Sequence, residues 1–199
     1  MRRIFDLVVA GSALLLATPL LLIAMVAIRL ESAGSAIYRQ RRVGQGGREF
    51  DVLKLRTMVS GAQSMGSGLA VSAGDTRITR TGRVLRRTSL DELPNLINVL
   101  RGEMAIVGPR PTVPEQVADY TPRQRERLTV RPGMTGWAQV NGRTELPWSE
   151  RIELDLWYIE HRSLRLDALI LWRTLCIVLA GHGLYRTGGP AWREPPTGP

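Results

Sequence analysis

The sequence predicts an α+β, helix-rich monotopic membrane protein. It would have an N-terminal re-entrant helix-break-helix and a small cytosolic globular domain with short strands and interfacial amphipathic helices. Three observations predict this. Leu7 to Ile28 is a run of 22 residues without a charge. Arginines stand on both sides of that run. The rest of the chain alternates short strand-like and helix-like segments around glycine and proline. At 199 residues the chain is long enough for one domain with a sizeable core.

The apolar run comes first. As a straight helix it would be about 33 Å long, enough to cross a hydrocarbon core of roughly 30 Å. Its flanks argue otherwise. Arg2 and Arg3 precede it, and Arg29, Arg39, Arg41, Arg42, Arg48, Lys54 and Arg56 follow it. Positive residues at both ends place both ends on the cytoplasmic face. Thr18-Pro19 lies mid-run, where proline removes a backbone bond and the threonine hydroxyl can satisfy a carbonyl. A spanning anchor and a signal peptide remain alternatives, although the run exceeds the ~7–15 residues of a signal h-region. The division read from these features is a re-entrant helix over 1–30, a cytosolic domain over 31–185 and a disordered tail over 186–199.

Residues 37–58 read as a strand, a glycine-rich turn and a second strand. A Gly/Ser/Thr-rich loop fills 59–80. Helices are expected at about 81–87 and 90–101, a buried strand at 104–108, an amphipathic helix over 114–128, strand character around 136–140, a helix over 148–160 and an apolar helix over 168–180. That last helix suits the core or the membrane interface, and aromatics such as Trp157 and Trp172 suit either the headgroup level or ordinary core packing.

Composition narrows the chemistry. Basic residues number 27 against 18 acidic ones, a net charge of +9, which implies an anionic partner. A nucleic acid is disfavoured, because it gives no reason for the apolar N-terminus. One cysteine, Cys176, excludes an intramolecular disulfide and a Cys-based zinc site. His161, His182 and Cys176 read as packing or surface residues. Only one of the basic residues is a lysine, Lys54.

The acids Asp91 and Glu92 sit in the most arginine-rich stretch. Ser89 to Glu92 fits a capping box, S-x-x-E, and acids favour a helix start. Seven arginines (Arg77, Arg80, Arg83, Arg86, Arg87, Arg101 and Arg110) outnumber Asp91, Glu92 and Glu103, so a second anion is implied. Arg110 stands between Pro109 and Pro111, where the backbone is stiff. A diphosphate with a divalent cation would satisfy both sets of charges, and an aspartate can attack phosphorus.

"RRTSLDELPNLINVLRGEMAIVGPRP" (86–111), with "VLKLRTM" before it and "VRPGMTGWAQVNGR" after it, resembles the bacterial sugar transferase family, the monotopic phosphoglycosyl transferases. The likeness spans about residues 2–175, as in a minimal catalytic form without the added N-terminal regions of larger relatives. It implies transfer of sugar 1-phosphate from a UDP-sugar to polyprenyl phosphate, usually undecaprenyl phosphate, with release of UMP. This would be the first membrane step of a bacterial glycan, at the cytoplasmic face of the inner membrane. By the same resemblance Asp91 is the nucleophile and forms a covalent phosphosugar intermediate. Glu92, beside Asp91, helps bind Mg2+. Lys54 belongs to the Asp91 site, Arg86 and Arg110 lie near the diphosphate, and Arg131 and Arg143 are substrate-binding candidates, Arg143 at the nucleotide end. Thr18-Pro19 matches the family's Ser-Pro helix break, whereas Gly34-Ser35 departs from a frequent Gly-Pro. Asp155 matches a recurrent acid of unclear role; a surface ion pair with Arg151 is the alternative. A competing reading is a non-catalytic membrane protein that binds polyprenyl phosphate or nucleotide-sugar.

Overall fold

The computed structural model describes residues 2–65, 74–142 and 146–180. Helix α1 (Arg2–Glu31) is followed by an antiparallel hairpin of β1 (Ile37–Val43) and β2 (Glu49–Leu55). Next come α2 (Arg80–Arg87), a 3₁₀ turn (Leu90–Glu92) and α3 (Asn95–Arg101). Strand β3 (Ala105–Val107) then pairs in parallel with β4 (Gly133–Thr135), across a connection that holds α4 (Pro114–Ala118) and α5 (Pro122–Arg125). Helices α6 (Trp137–Val140), α7 (Trp148–His161) and α8 (Leu164–Ala180) complete the described chain. The α+β class is as expected. The expected tail 186–199 and His182 lie outside the described residues.

Helix α1 runs without interruption through Pro19, where two helices separated by a break were expected. Proline leaves the Leu15 carbonyl without its helix donor, and Thr18 Oγ1 donates to the neighbouring Leu14 carbonyl at 2.7 Å, a back-bond of the kind that bends a helix without ending it. One stripe of α1, through Asp6, Ala10, Leu21, Ala24 and Ile28, is buried. Ala10 joins the core of Phe50, Val52, Leu96, Val99 and Ile106; Leu21, Ala24 and Ile28 join Leu55 and Leu85. Other α1 residues, among them Val8, Leu15, Leu16 and Ile23, are exposed apolar groups. The helix is long and apolar enough to cross a membrane. Both of its ends are nevertheless bonded to the globular body. Arg3 donates to the Val99 and Leu100 carbonyls at 2.6 and 3.0 Å, and Glu31 accepts from the Arg80 and Thr81 amides at 2.6 and 2.8 Å.

The hairpin register places Lys54 opposite Tyr38 and Phe50 opposite Arg42. Fully buried Asn98 ties α3 to β2. Its Oδ1 accepts from the Leu53 amide at 3.1 Å, and its Nδ2 donates to the Asp51 carbonyl at 2.8 Å. Buried amide groups need such partners, so this contact fixes the distance between β2 and the turn ahead of α3. Gly82 of α2 lies against Thr57, and any Cβ there would run into the Thr57 carbonyl.

Three local expectations differ. Residues 137–140 are helical, with the strand ending at Thr135; "WAQV" carries β-propensity, but its Val140 amide bonds the Gly136 carbonyl. The helix expected over 114–128 breaks at Asp119, and Thr121 starts α5 with its own capping box. Ser89 makes no cap: it is left-handed at φ 56°, and the Asp91–Glu92 segment is a 3₁₀ turn ahead of α3.

Candidate active site

Asp91 and Glu92 occupy the 3₁₀ turn between α2 and α3. The chain reverses sharply into this turn through Ser89, the one non-glycine residue with positive φ among those described. Such a conformation costs roughly 1–3 kcal/mol and persists where the surroundings hold it, often at functional sites. From β2, Lys54 Nζ donates to Glu92 Oε1 at 2.8 Å. From the segment after β3, Arg110 Nη2 donates to the same oxygen at 2.9 Å. Both bonds land on Oε1, which leaves Oε2 outside them. Burial alone would raise the Glu92 carboxyl, but Lys54 and Arg110 outweigh it and hold it far below the usual carboxylate range.

Asp91 behaves in the opposite way. Burial first, then the negative charge of Glu92, pushes its carboxyl up to about 6. Lys54 and Arg86 oppose that rise without cancelling it. Arg86 is pinned at one edge, with Nε donating to Thr57 Oγ1 at 2.8 Å. Two adjacent carboxylates are thus driven apart: one is locked in ion pairs, while the other is half-buried and costly to ionise. A strained acid among cations is the arrangement expected of a reagent.

Lys54, Arg86, Asp91, Glu92 and Arg110 therefore share one site. Arg131 does not join them. It lines a separate cavity with the first turns of α1. Arg143 lies outside the described residues. Arg77 is committed elsewhere: it forks onto Asp75 at 2.6–3.2 Å and donates to the Ala62 and Met65 carbonyls. Asp75 thus removes one of the seven arginines from the surplus over Asp91, Glu92 and Glu103.

Sequence reading missed two groups. Arg42 shares the Lys54 face of the hairpin through its register. Burial, and then the like charge of Arg110, lowers its guanidinium to about 10. Alternation along β1 was the signal that could have found it. The second is Arg127. Buried Asp155 accepts from its Nε and Nη2 at 3.0 and 2.6 Å, so the expected surface pair with Arg151 gives way to an interior one. Arg127 also donates to the Tyr120 hydroxyl and, at 3.2 Å, to the Arg110 carbonyl. Tyr120 in turn donates to Thr112 Oγ1 at 3.2 Å. This network holds the Arg110 carbonyl on one side of Pro111 and the Thr112 hydroxyl on the other, and so Asp155 positions the Arg110 segment. His161 stacks on Trp157 with ring centroids 4.4 Å apart, and Cys176 is exposed.

No cluster of three or more His, Cys, Asp or Glu groups suited to a metal exists among the described residues. The donor set that is present, Asp91 with Glu92 Oε2, suits Mg2+, which takes one or two carboxylates and completes its shell with water and substrate phosphate.

Known proteins resemble this chain over most of its length. An uncharacterized sugar transferase of Bacillus subtilis (strain 168) is 39% identical over 94% of this chain and 91% of its own length. The UDP-glucose:undecaprenyl-phosphate glucose-1-phosphate transferase of Caulobacter vibrioides is 44% identical over 92% of this chain and 72% of its own. The undecaprenyl-phosphate galactose phosphotransferase of Salmonella typhimurium is 37% identical over 93% of this chain but only 42% of its own length. The family model described as bacterial sugar transferase matches residues 1–181, and the chain belongs to that family.

Proposed function

We propose that this chain is a phosphoglycosyl transferase that moves sugar 1-phosphate from a UDP-sugar to undecaprenyl phosphate. Asp91 would act as nucleophile. The observation that carries the reading is the pairing of a half-buried Asp91, raised to about 6, with a Glu92 held ionised by Lys54 and Arg110. One relative is named for glucose 1-phosphate and another for galactose phosphate. The shared core therefore corresponds to the phosphate chemistry, not to one sugar.

An Asp91 carboxylate oxygen attacks the phosphorus that bears the sugar. The bond from that phosphorus to the bridging oxygen breaks, and UMP leaves with the electron pair. Arg86 and Arg110 stand where they would draw charge from the diphosphate oxygens. Lys54 keeps Glu92 ionised. A phosphate oxygen of the lipid then attacks the same phosphorus, and Asp91 is released as a carboxylate. When bound, Mg2+ on Asp91 and Glu92 Oε2 would supply further neutralisation of the leaving phosphate.

The same reading puts the protein on the cytoplasmic face of the inner membrane, with the continuous α1 bent at Pro19 so that both of its ends stay on that face. Support comes from the two ends of α1, which bond to one globular body, and from its exposed apolar faces. Cysteines at positions 2 and 40 should label from the same side; labelling from opposite sides refutes the topology.

The decisive assay is UMP release by purified protein with undecaprenyl phosphate and a panel of UDP-sugars. Without acceptor lipid, the wild type should release about one UMP per site and gain the mass of a sugar phosphate. Asp91→Asn should do neither. If Asp91→Asn releases UMP at the wild-type rate, Asp91 is not the nucleophile. If the wild type binds but never turns over, the chain is a binding protein.

A further inference from the structure

A cavity of about 230 Å3 lies apart from the Asp91 site, between the first turns of α1, the end of β3 and the α7–α8 junction. Four arginines line it: Arg2, Arg3, Arg131 and Arg162. Two carboxylates, Asp6 and Asp167, share the lining. Both carboxylates are already engaged. Asp6 Oδ1 accepts from the Ile106 amide at 3.1 Å, and Asp167 Oδ1 accepts from the Tyr158 hydroxyl at 2.7 Å.

The arginines are less well matched. Arg3 is committed to the carbonyls that end α3. Arg2 Nη2 is buried and stands 3.3 Å from Asp167 Oδ2, yet it makes no hydrogen bond. Arg131 and Arg162 have no side-chain hydrogen bond or ion pair among the described residues. Four positive groups against two negative ones leave an excess of two in the lining of this cavity. Guanidinium forks of this kind match phosphate oxygens.

The surroundings select the kind of phosphate. Exposed Ile4, Phe5 and Val8 lie on the same turns of α1, and exposed Leu164 begins α8. The polar cavity therefore opens beside apolar surface, as the headgroup level of a bilayer requires. We infer that this cavity binds the phosphodiester of an anionic glycerophospholipid, with Arg2, Arg131 and Arg162 on the phosphate and the acyl chains along the exposed face of α1. The inference rests on the membrane attachment of α1 proposed above, not on the chemistry of Asp91. The bound lipid would clip the N-terminal turn of α1 to the β3–β4 pair and the α7–α8 corner.

Thermal unfolding of the full chain in a neutral detergent tests it, with dihexanoyl phosphatidylglycerol as probe. At roughly tenfold saturation the melting temperature should rise by about 3–6 °C. Dihexanoyl phosphatidylcholine and inorganic phosphate at the same concentration should give less than half that rise. Arg162→Gln, at an exposed position, and Arg131→Gln should each raise the apparent Kd for the phosphatidylglycerol at least tenfold. Asp91→Asn should keep the full response, which separates failure of this site from failure of the nucleophile. An equal rise with phosphatidylcholine, a rise reproduced by inorganic phosphate, or an undiminished response in both arginine variants overturns the assignment.

Discussion

Asp91→Asn should make the protein more stable while abolishing its chemistry. The Asp91 carboxyl is raised from 3.8 to about 6. A raised acid is favoured in its neutral form by the fold. Stability is therefore highest below the unfolded value of 3.8 and declines as pH climbs through about 6. At neutral pH the ionised group costs the native state up to about 3 kcal/mol, taking about 1.4 kcal/mol per pH unit. Asp91 is partly open to solvent, so the gain expected from Asn is about 1–3 kcal/mol. For a chain of this size that corresponds to roughly 2–12 °C in melting temperature. The measurement is paired thermal unfolding of wild type and Asp91→Asn in detergent at several pH values. The gap should be largest at pH 7 and close by about pH 4, where Asp91 is protonated in both states. A variant no more stable than wild type at pH 7, or a gap that ignores pH, would refute the electrostatic account of the site.

Further outcomes follow from the same geometry. In UMP-release assays at fixed Mg2+, kcat/KM for the UDP-sugar should fall about tenfold per pH unit below about 6, as free Asp91 takes up its proton. Glu92→Gln removes the negative charge that helps raise Asp91, so that acid limb should move to lower pH. The Mg2+ concentration needed for half-maximal rate should rise more than about 10-fold in the same variant. Asp155→Ala strands the buried Arg127 guanidinium and should cost about 3–5 kcal/mol, seen as a melting temperature lower by roughly 6–20 °C. A shift within 2 °C would mean that the interior pair does not hold the Arg110 segment.

Much of this molecule was legible in one sequence. The uncharged run, the hairpin around its glycines, α2, β3 and α7 stand close to where periodicity and turn residues put them. The site was legible where charge chemistry is local: Asp91, Glu92 and Arg86 fall within seven positions, and Arg110 is marked by its two prolines. What escaped depends on distant partners. Arg127 sits in "RQRERL", which reads as a solvated helix face, and only the arrival of Asp155 from α7 makes it interior. Arg131 belongs to the motif "VRPGMTGWAQVNGR" and reads as substrate-binding, yet it lies in the cavity beside Asp6 and α1. Ser89 looked like a helix cap because the S-x-x-E spacing was right. The close approach of α2 to Thr57 and the pull of Lys54 and Arg110 on Glu92 accompany a left-handed turn there instead. Local pattern sees neighbours in sequence, whereas these three positions are governed by neighbours in space.

Lys54 is the chain's only lysine, and it lies within the Asp91–Glu92 cluster with its side chain 19% exposed. The protein therefore carries a single ε-amine as a natural chemical tag. An acylating reagent that modifies amines above neutral pH has one side-chain target, and that target is tied to Glu92. Its rate of labelling would report on whether the ion pair is closed, opened by metal on the carboxylate, or covered by a bound diphosphate. No engineered label is needed to follow occupancy of this site through a turnover, because every other basic side chain but the two histidines is an arginine.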